Sequence, residues 1–116
     1  MTLYKSGDVV LILFPFTNLA SFKKRPALVL STETYQRKHK DVIILALTSQ
    51  AQPSRENQIH WQRAGLPKPT WLKPVVATSS LNLISRQLGQ LDRSDWVKVT
   101  KELYQSIDRS FLEKEN

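Results

Sequence analysis

Few side chains in this sequence are equipped for chemistry, and most of those are cations. The 116 residues include no cysteine, which excludes a disulfide staple, a thiolate nucleophile and a sulfur-ligated metal. The two imidazoles, His39 and His60, lie in polar segments with no neighbour at metal-ligand spacing, so neither a metal nor any cofactor is expected. Three isolated glycines make neither a Walker loop nor a dinucleotide-binding turn. A serine-hydrolase elbow is lacking, and nothing in the pattern makes the two histidines converge as a histidine-pair ribonuclease requires. What remains is a net charge of +7 with a pI near 9.9. The excess is spread over Lys23-Lys24-Arg25, Arg37-Lys38-His39-Lys40, Arg55, Arg63, Lys68, Lys73 and Arg86. A polyanionic partner accounts for it; so does a surface whose charge only keeps a small protein dissolved.

These groups need a scaffold, and residues 1–116 are enough for a single domain with one core. At 41% hydrophobic and 23% charged, the composition is globular. The longest apolar run, residues 9–16, falls short of the ~20 needed to cross a membrane. It also lacks the prelude and cleavage site of a signal peptide, so a soluble, cytoplasmic protein is expected. Residues 8–16 follow Gly7, are rich in β-branched and aromatic residues and meet Pro15; their weak alternation predicts a strand covered on both faces. Polar residues 17–24 then loop into a strand over 26–30, and Ser31 or Thr32 caps a short helix over 33–38. A third strand over 41–47 gives way abruptly to Thr48-Ser49-Gln50, and such strand ends often carry functional groups.

From 51 to 73 the sequence is polar and holds Pro53, Pro67 and Pro69, which predicts a loop with a short strand near 58–61 and a turn at Gly65. Short strands are expected over 75–77, 81–84 and 87–91. Trp96, Val99, Leu103, Ile107 and Phe111 recur at helical spacing, predicting an amphipathic helix over roughly 94–113 whose apolar stripe faces the core. Asp92, with Asp95 three residues on, is placed to cap its start. Together these elements predict a mainly β protein with α: a curled barrel with a short internal helix and the last helix packed outside.

Two segments are more specific. One runs from Gly7-Asp8-Val9-Val10 through Pro15-Phe16-Thr17-Asn18 to Lys24-Arg25-Pro26-Ala27-Leu28-Val29-Leu30-Ser31; the other is Leu45-Ala46-Leu47-Thr48-Ser49-Gln50. Both resemble the MazF/PemK (Kid) family of toxin endoribonucleases, in which a Gly-Asp dipeptide opens the first strand, a "PFTD"-like turn follows and "RPALVLS" begins the next strand. The resemblance implies an SH3-like β-barrel of the CcdB/PemK kind. It also implies a homodimer whose interface forms a groove for single-stranded RNA, and a cognate acidic antitoxin that covers this groove. Arg25 falls at the family's catalytic arginine and Thr48 at its catalytic threonine or serine. Thr17, Lys23, Lys24, Ser49, Gln50, Asn82 and Arg86 are then the candidate RNA-binding residues. Where many relatives read "QIRTID", this chain reads Ser80-Leu81-Asn82-Leu83-Ile84-Ser85-Arg86: Asn82 replaces the arginine, Ser85 replaces the acid, and Arg86 restores part of the charge.

The implied chemistry suits the pair. RNA cuts itself when a 2′-hydroxyl attacks the adjacent phosphorus, leaving a 2′,3′-cyclic phosphate and a 5′-hydroxyl. An enzyme need only align the backbone, stabilise the phosphorane and manage two protons, without a metal. A guanidinium presents a planar fork of donors and keeps its charge. A threonine hydroxyl hydrogen-bonds a phosphate oxygen or orients the 2′-hydroxyl, and no side chain is an obvious general base. Plainer readings stand beside these. Arg25 begins a strand and Thr48 ends one; Lys23 and Lys24 suit a solvated loop tip; Trp61 and Trp71 either stack on bases or pack. Two other functions also fit: a gyrase-poisoning toxin like the CcdB relatives, or an RNA-binding module without catalysis.

Overall fold

The structure, a computed structural model, describes residues 1–14 and 23–107. Thr17, the rest of the 15–22 stretch and Phe111 lie outside the described residues. The five strands are β1 (Asp8–Leu13), β2 (Lys24–Val29), β3 (Asp41–Thr48), β4 (Trp71–Ser80) and β5 (Ile84–Gln90), with helices α1 (Glu33–His39) and α2 (Arg93–Gln105). All strand pairings are antiparallel, and the spatial order is β4-β3-β2-β1-β5. The protein is thus mainly β with α, as the sequence predicts. The sheet is not closed, however: among the described residues no ladder joins β4 to β5, so the expected barrel stays open.

Both faces of this sheet are covered, which is why β1 shows so little alternation. Val10, Ile12, Ala27, Val29, Ile44 and Ala46 pack on one face; Val9, Leu28, Leu45 and Leu47 pack on the other with Ile59, Leu72 and Val99 of α2. Full burial of side chains such as Ile12, Leu28, Ile44 and Leu45 contributes ~1.5–3 kcal/mol each before entropy is counted. Thr32 caps α1 by accepting the Tyr35 N–H at 3.1 Å. The same helix buries Gln36, whose amide grips the N-terminal segment: Tyr4 N–H donates to Oε1 at 2.8 Å, and Nε2 donates to Tyr4 O at 2.7 Å.

The chain departs from its expected course between residues 51 and 91. Near 58–61 there is one isolated bridge, Gln58 to Trp71, in place of a strand. β4 is a single ten-residue strand that begins at Trp71 and runs through Pro74, a residue that would normally end one. It survives because the β3–β4 register shifts between Leu45 and Leu47, where residues 73–75 stand against Ala46 alone. Such a bulge tolerates a missing N–H. Leu81–Leu83 is one turn of 3-10 helix, capped by Ser80, rather than a strand, and β5 starts at Ile84. In α2, Val99 is buried and Trp96 and Leu103 are partly so; Ile107 lies beyond the helix end at Gln105 and is exposed.

Asp92 stands at the N-cap of α2 but makes no side-chain cap bond, and Asp95 does not complete a capping box. The Asp95 side chain is fully buried and accepts the His60 backbone N–H at 2.7 Å, with His60 Nδ1 at 3.0 Å and Lys98 Nζ at 3.3 Å. The carboxylate therefore ties the loop before β4 to the first turns of α2. A second tie joins that loop to β5. Gly65 has φ +78°, and Cβ atoms built on Gly65 and Gly89 would come within 2.1 Å of Leu88 O and 2.5 Å of Ala64 O, so the two backbones meet with no room for a side chain.

Candidate active site

Pro26 opens the site. Antiparallel pairing of β2 with β3 runs Val29↔Ile44, Leu28↔Leu45 and Ala27↔Ala46, and then stops where Pro26 has no N–H to donate. Continuing the same register two residues further sets Arg25 opposite Thr48, on the face of Ala27 and Ala46. The two strand ends separate there, and Arg25 and Thr48 together line two cavities. One, of about 240 Å³, is walled by Leu66, Pro67, Lys68 and Thr70 and also touches Ser49 and Gln50. The other, of about 310 Å³, has Phe14, Ala46 and Val75 as an apolar floor and Lys73 as its second cation.

The two polar groups are ready for a ligand. Thr48 Oγ1 accepts the Gln50 N–H at 3.1 Å, which fixes the hydroxyl and leaves its hydrogen for an incoming acceptor. Arg25 is exposed, and among the described residues no carboxylate lies in ion-pair range of it. Its charge is therefore available to an anion. Lys68 and Lys73, which sequence reasoning counted only as excess charge, stand one in each cavity. Lys73 arrives there through the β4 bulge.

The other nominated residues are distributed as follows. Ser49 and Gln50 belong to the cavity wall. Lys23 and Lys24 are exposed at the start of β2 and line neither cavity. Asn82 lies away from the pair, in a cleft with Met1, Tyr4 and Ser85. Arg86 is opposite Leu11, which is opposite Pro26, so it shares their face rather than that of Arg25. Trp71 is buried and Trp61 packs against the α2-side core, so Trp71 presents no open face for stacking a base.

Among the described residues one trio of ligand-type side chains converges: His60, Asp92 and Asp95, with ligand atoms within 4.8 Å of one another. Separation along the chain hid it from a spacing search. Lys98 lies against Asp95, and Arg63 is 3.4 Å from Asp92, so the two carboxylates are balanced without a metal ion. The Asp92 carboxyl is held below its ordinary value, first by the Ser94 hydroxyl at 2.6 Å and then by Arg63 and His60, against the opposing effect of burial. None of the three lines the cavities beside Arg25.

Comparison with known proteins adds to this geometry. A family profile described as "PemK-like, MazF-like toxin of type II toxin-antitoxin system" matches residues 5–107. The chain belongs to that family. No curated protein matches the sequence. Among solved structures it is similar to MazF from Deinococcus radiodurans, with a TM-score of 0.70 at 19% identity over 89% of this chain and 94% of that one. The Mycobacterium tuberculosis toxin MazF-mt6 matches with a TM-score of 0.63 at 19% identity, covering 82% of this chain and 90% of that one. A mycobacterial endoribonuclease in complex with its cognate antitoxin matches at 0.65 with 16% identity, covering 89% and 91% of the respective chains. At these identities the structural likeness establishes a shared MazF fold, and the family profile carries the membership.

Proposed function

We propose that the protein is a toxin endoribonuclease that cuts single-stranded RNA at short specific sequences, without a metal, between Arg25 and Thr48. The observation that carries this is their placement on facing strand ends, where both border the same two cavities and neither pairs with a charged group among the described residues. In the reaction the 2′-oxygen bonds to phosphorus and the bond from phosphorus to the 5′-oxygen breaks. The 2′-hydroxyl gives up a proton, and the leaving oxygen gains one. The products are a 2′,3′-cyclic phosphate and a 5′-hydroxyl. Arg25 meets the charge that builds on the non-bridging oxygens, and Thr48 donates its hydroxyl hydrogen to one of them. Lys68 and Lys73 hold the neighbouring phosphates and give binding a steep salt dependence.

A homodimer in the cytoplasm, silenced by an acidic antitoxin, completes the proposal. A cation-lined cleft that accepts RNA also suits an acidic segment that orders on binding. Arg25 beside a threonine hydroxyl held by the Gln50 N–H, with its hydrogen left to donate, favours catalysis over a gyrase poison or a passive RNA-binding module. The test is incubation with a long unstructured RNA in EDTA, followed by mapping of the 5′ ends. Discrete cuts ending in 5′-hydroxyls are expected. RNA that is bound and left whole, or cut only when magnesium is restored, would overturn the proposal.

A further inference from the structure

A third cavity meets the first two at Thr48, and its lining has the opposite character. It measures about 240 Å³ and is bordered by Gln50, Gln52, Glu56, Asn57, Lys73 and Glu102 of α2. The cavities that contain Arg25 have only cations among their charged side chains. Here two carboxylates accompany three amides. Carboxylates repel phosphate but accept N–H donors, and an ionised carboxylate offers two acceptor oxygens and no donor. At about 240 Å³ the cavity matches the Lys68 cavity in size, so the charge of its lining, not its volume, sets it apart.

We infer that this cavity is a nucleobase subsite that selects guanine through Glu102, with Glu56 as its second acceptor; the inference rests on the proposed endoribonuclease function of the adjoining pair. Guanine alone carries two neighbouring donors, N1–H and the 2-amino group, on its Watson–Crick edge, and these match the two oxygens of one carboxylate. Uracil presents a single N–H flanked by two carbonyls, which a carboxylate repels. Unstacked bases of single-stranded RNA are read on that edge. Glu102 is the better placed of the two acids, since it projects from α2, and groups on a helix hold position better than groups on a loop. Gln50 and Asn57 supply the amides that remain to hydrogen-bond the guanine carbonyl. Gln50 also has its backbone N–H on Thr48, so base and scissile phosphate are held by adjacent residues.

The experiment uses short uridine runs with one central base varied among guanine, inosine, adenine, cytosine and uracil. Their 2′-hydroxyls are replaced by hydrogen so that they cannot be cut, and binding to the full chain is followed by fluorescence anisotropy. Guanine should bind about tenfold tighter than uracil, with inosine, which lacks the 2-amino group, in between. Glu102→Gln should reduce that ratio to about twofold or less, and Glu56→Gln should reduce it in part. Melting curves establish that both variants are folded. Equal affinity for all five, or a guanine preference that survives both substitutions, would overturn the inference. The all-ribose RNA is assayed for cutting in parallel. Guanine-selective binding without cleavage would sink the endoribonuclease proposal and leave this one standing; cleavage without guanine preference would do the reverse.

Discussion

Replacing Arg25 by alanine removes the guanidinium shared by the two cavities beside Thr48 while leaving Lys68 and Lys73 in place. Two unit charges about 4 Å apart interact by roughly 4 kcal/mol at an effective dielectric near 20. Arg25 is exposed, and doubling the dielectric to allow for water halves this to ~2 kcal/mol. If the interaction is made mainly with the phosphorane, the rate should fall by about 30-fold to 1000-fold. Binding should weaken by less than about tenfold, because the two lysines still hold the backbone. Single-turnover cleavage gives the first quantity, and anisotropy with an uncleavable oligonucleotide gives the second. Arg25→Lys should recover part of the rate, since it keeps the charge and loses the fork. A folded Arg25→Ala protein that cuts within about threefold of the wild-type rate would refute this account of transition-state stabilisation.

Thr48→Ala should slow cleavage by about 10-fold to 150-fold, the equivalent of a hydrogen bond to a charged group, and Thr48→Ser should largely restore it. Gly89→Ala should lower the melting temperature by the equivalent of about 1–3 kcal/mol, because the new methyl group meets the carbonyl of Ala64; an unchanged melt would show that the loop gives way freely. Gln36→Leu strands the Tyr4 N–H and C=O and should cost about 2–4 kcal/mol in chemical denaturation. The lowered Asp92 carboxyl contributes stability above its ordinary value of 3.8, which is lost as pH falls through the lower folded value. Asp92→Asn should therefore melt below wild type at neutral pH and converge with it in strong acid.

The sequence disclosed what is local. β1, β2, β3 and α1 stand within a few residues of their expected places, because β-branched runs, a threonine cap and abrupt polar boundaries are short-range signals. Arg25 and Thr48 were nominated by motif, and their juxtaposition follows from a register that only the folded sheet supplies. Pro74 obscured β4, since a proline within a strand reads as a break until the bulge is known. Leu81-Asn82-Leu83 alternates like a strand but is a helical turn, for Ser80 caps it. Asp95 sat at capping-box spacing, yet its carboxylate serves His60, 35 residues away. Lys73 and Glu102 likewise come to the cavities by long-range packing.

The unclosed sheet has one further consequence. Beyond the bridge at Trp71, the outer side of β4 has no strand partner among the described residues, and a free edge of this kind invites pairing with other chains. A lysine, a proline and a bulge are the usual deterrents, and here Lys73, Pro74 and the 73–75 bulge provide all three. Both residues also border the third cavity, and Lys73 borders the apolar one as well. Under the proposed function, the hold on substrate phosphate and protection from aggregation therefore meet at Lys73. An apolar or β-branched residue at Lys73 would weaken both at once, so solubility constrains this edge as much as the proposed RNA binding does.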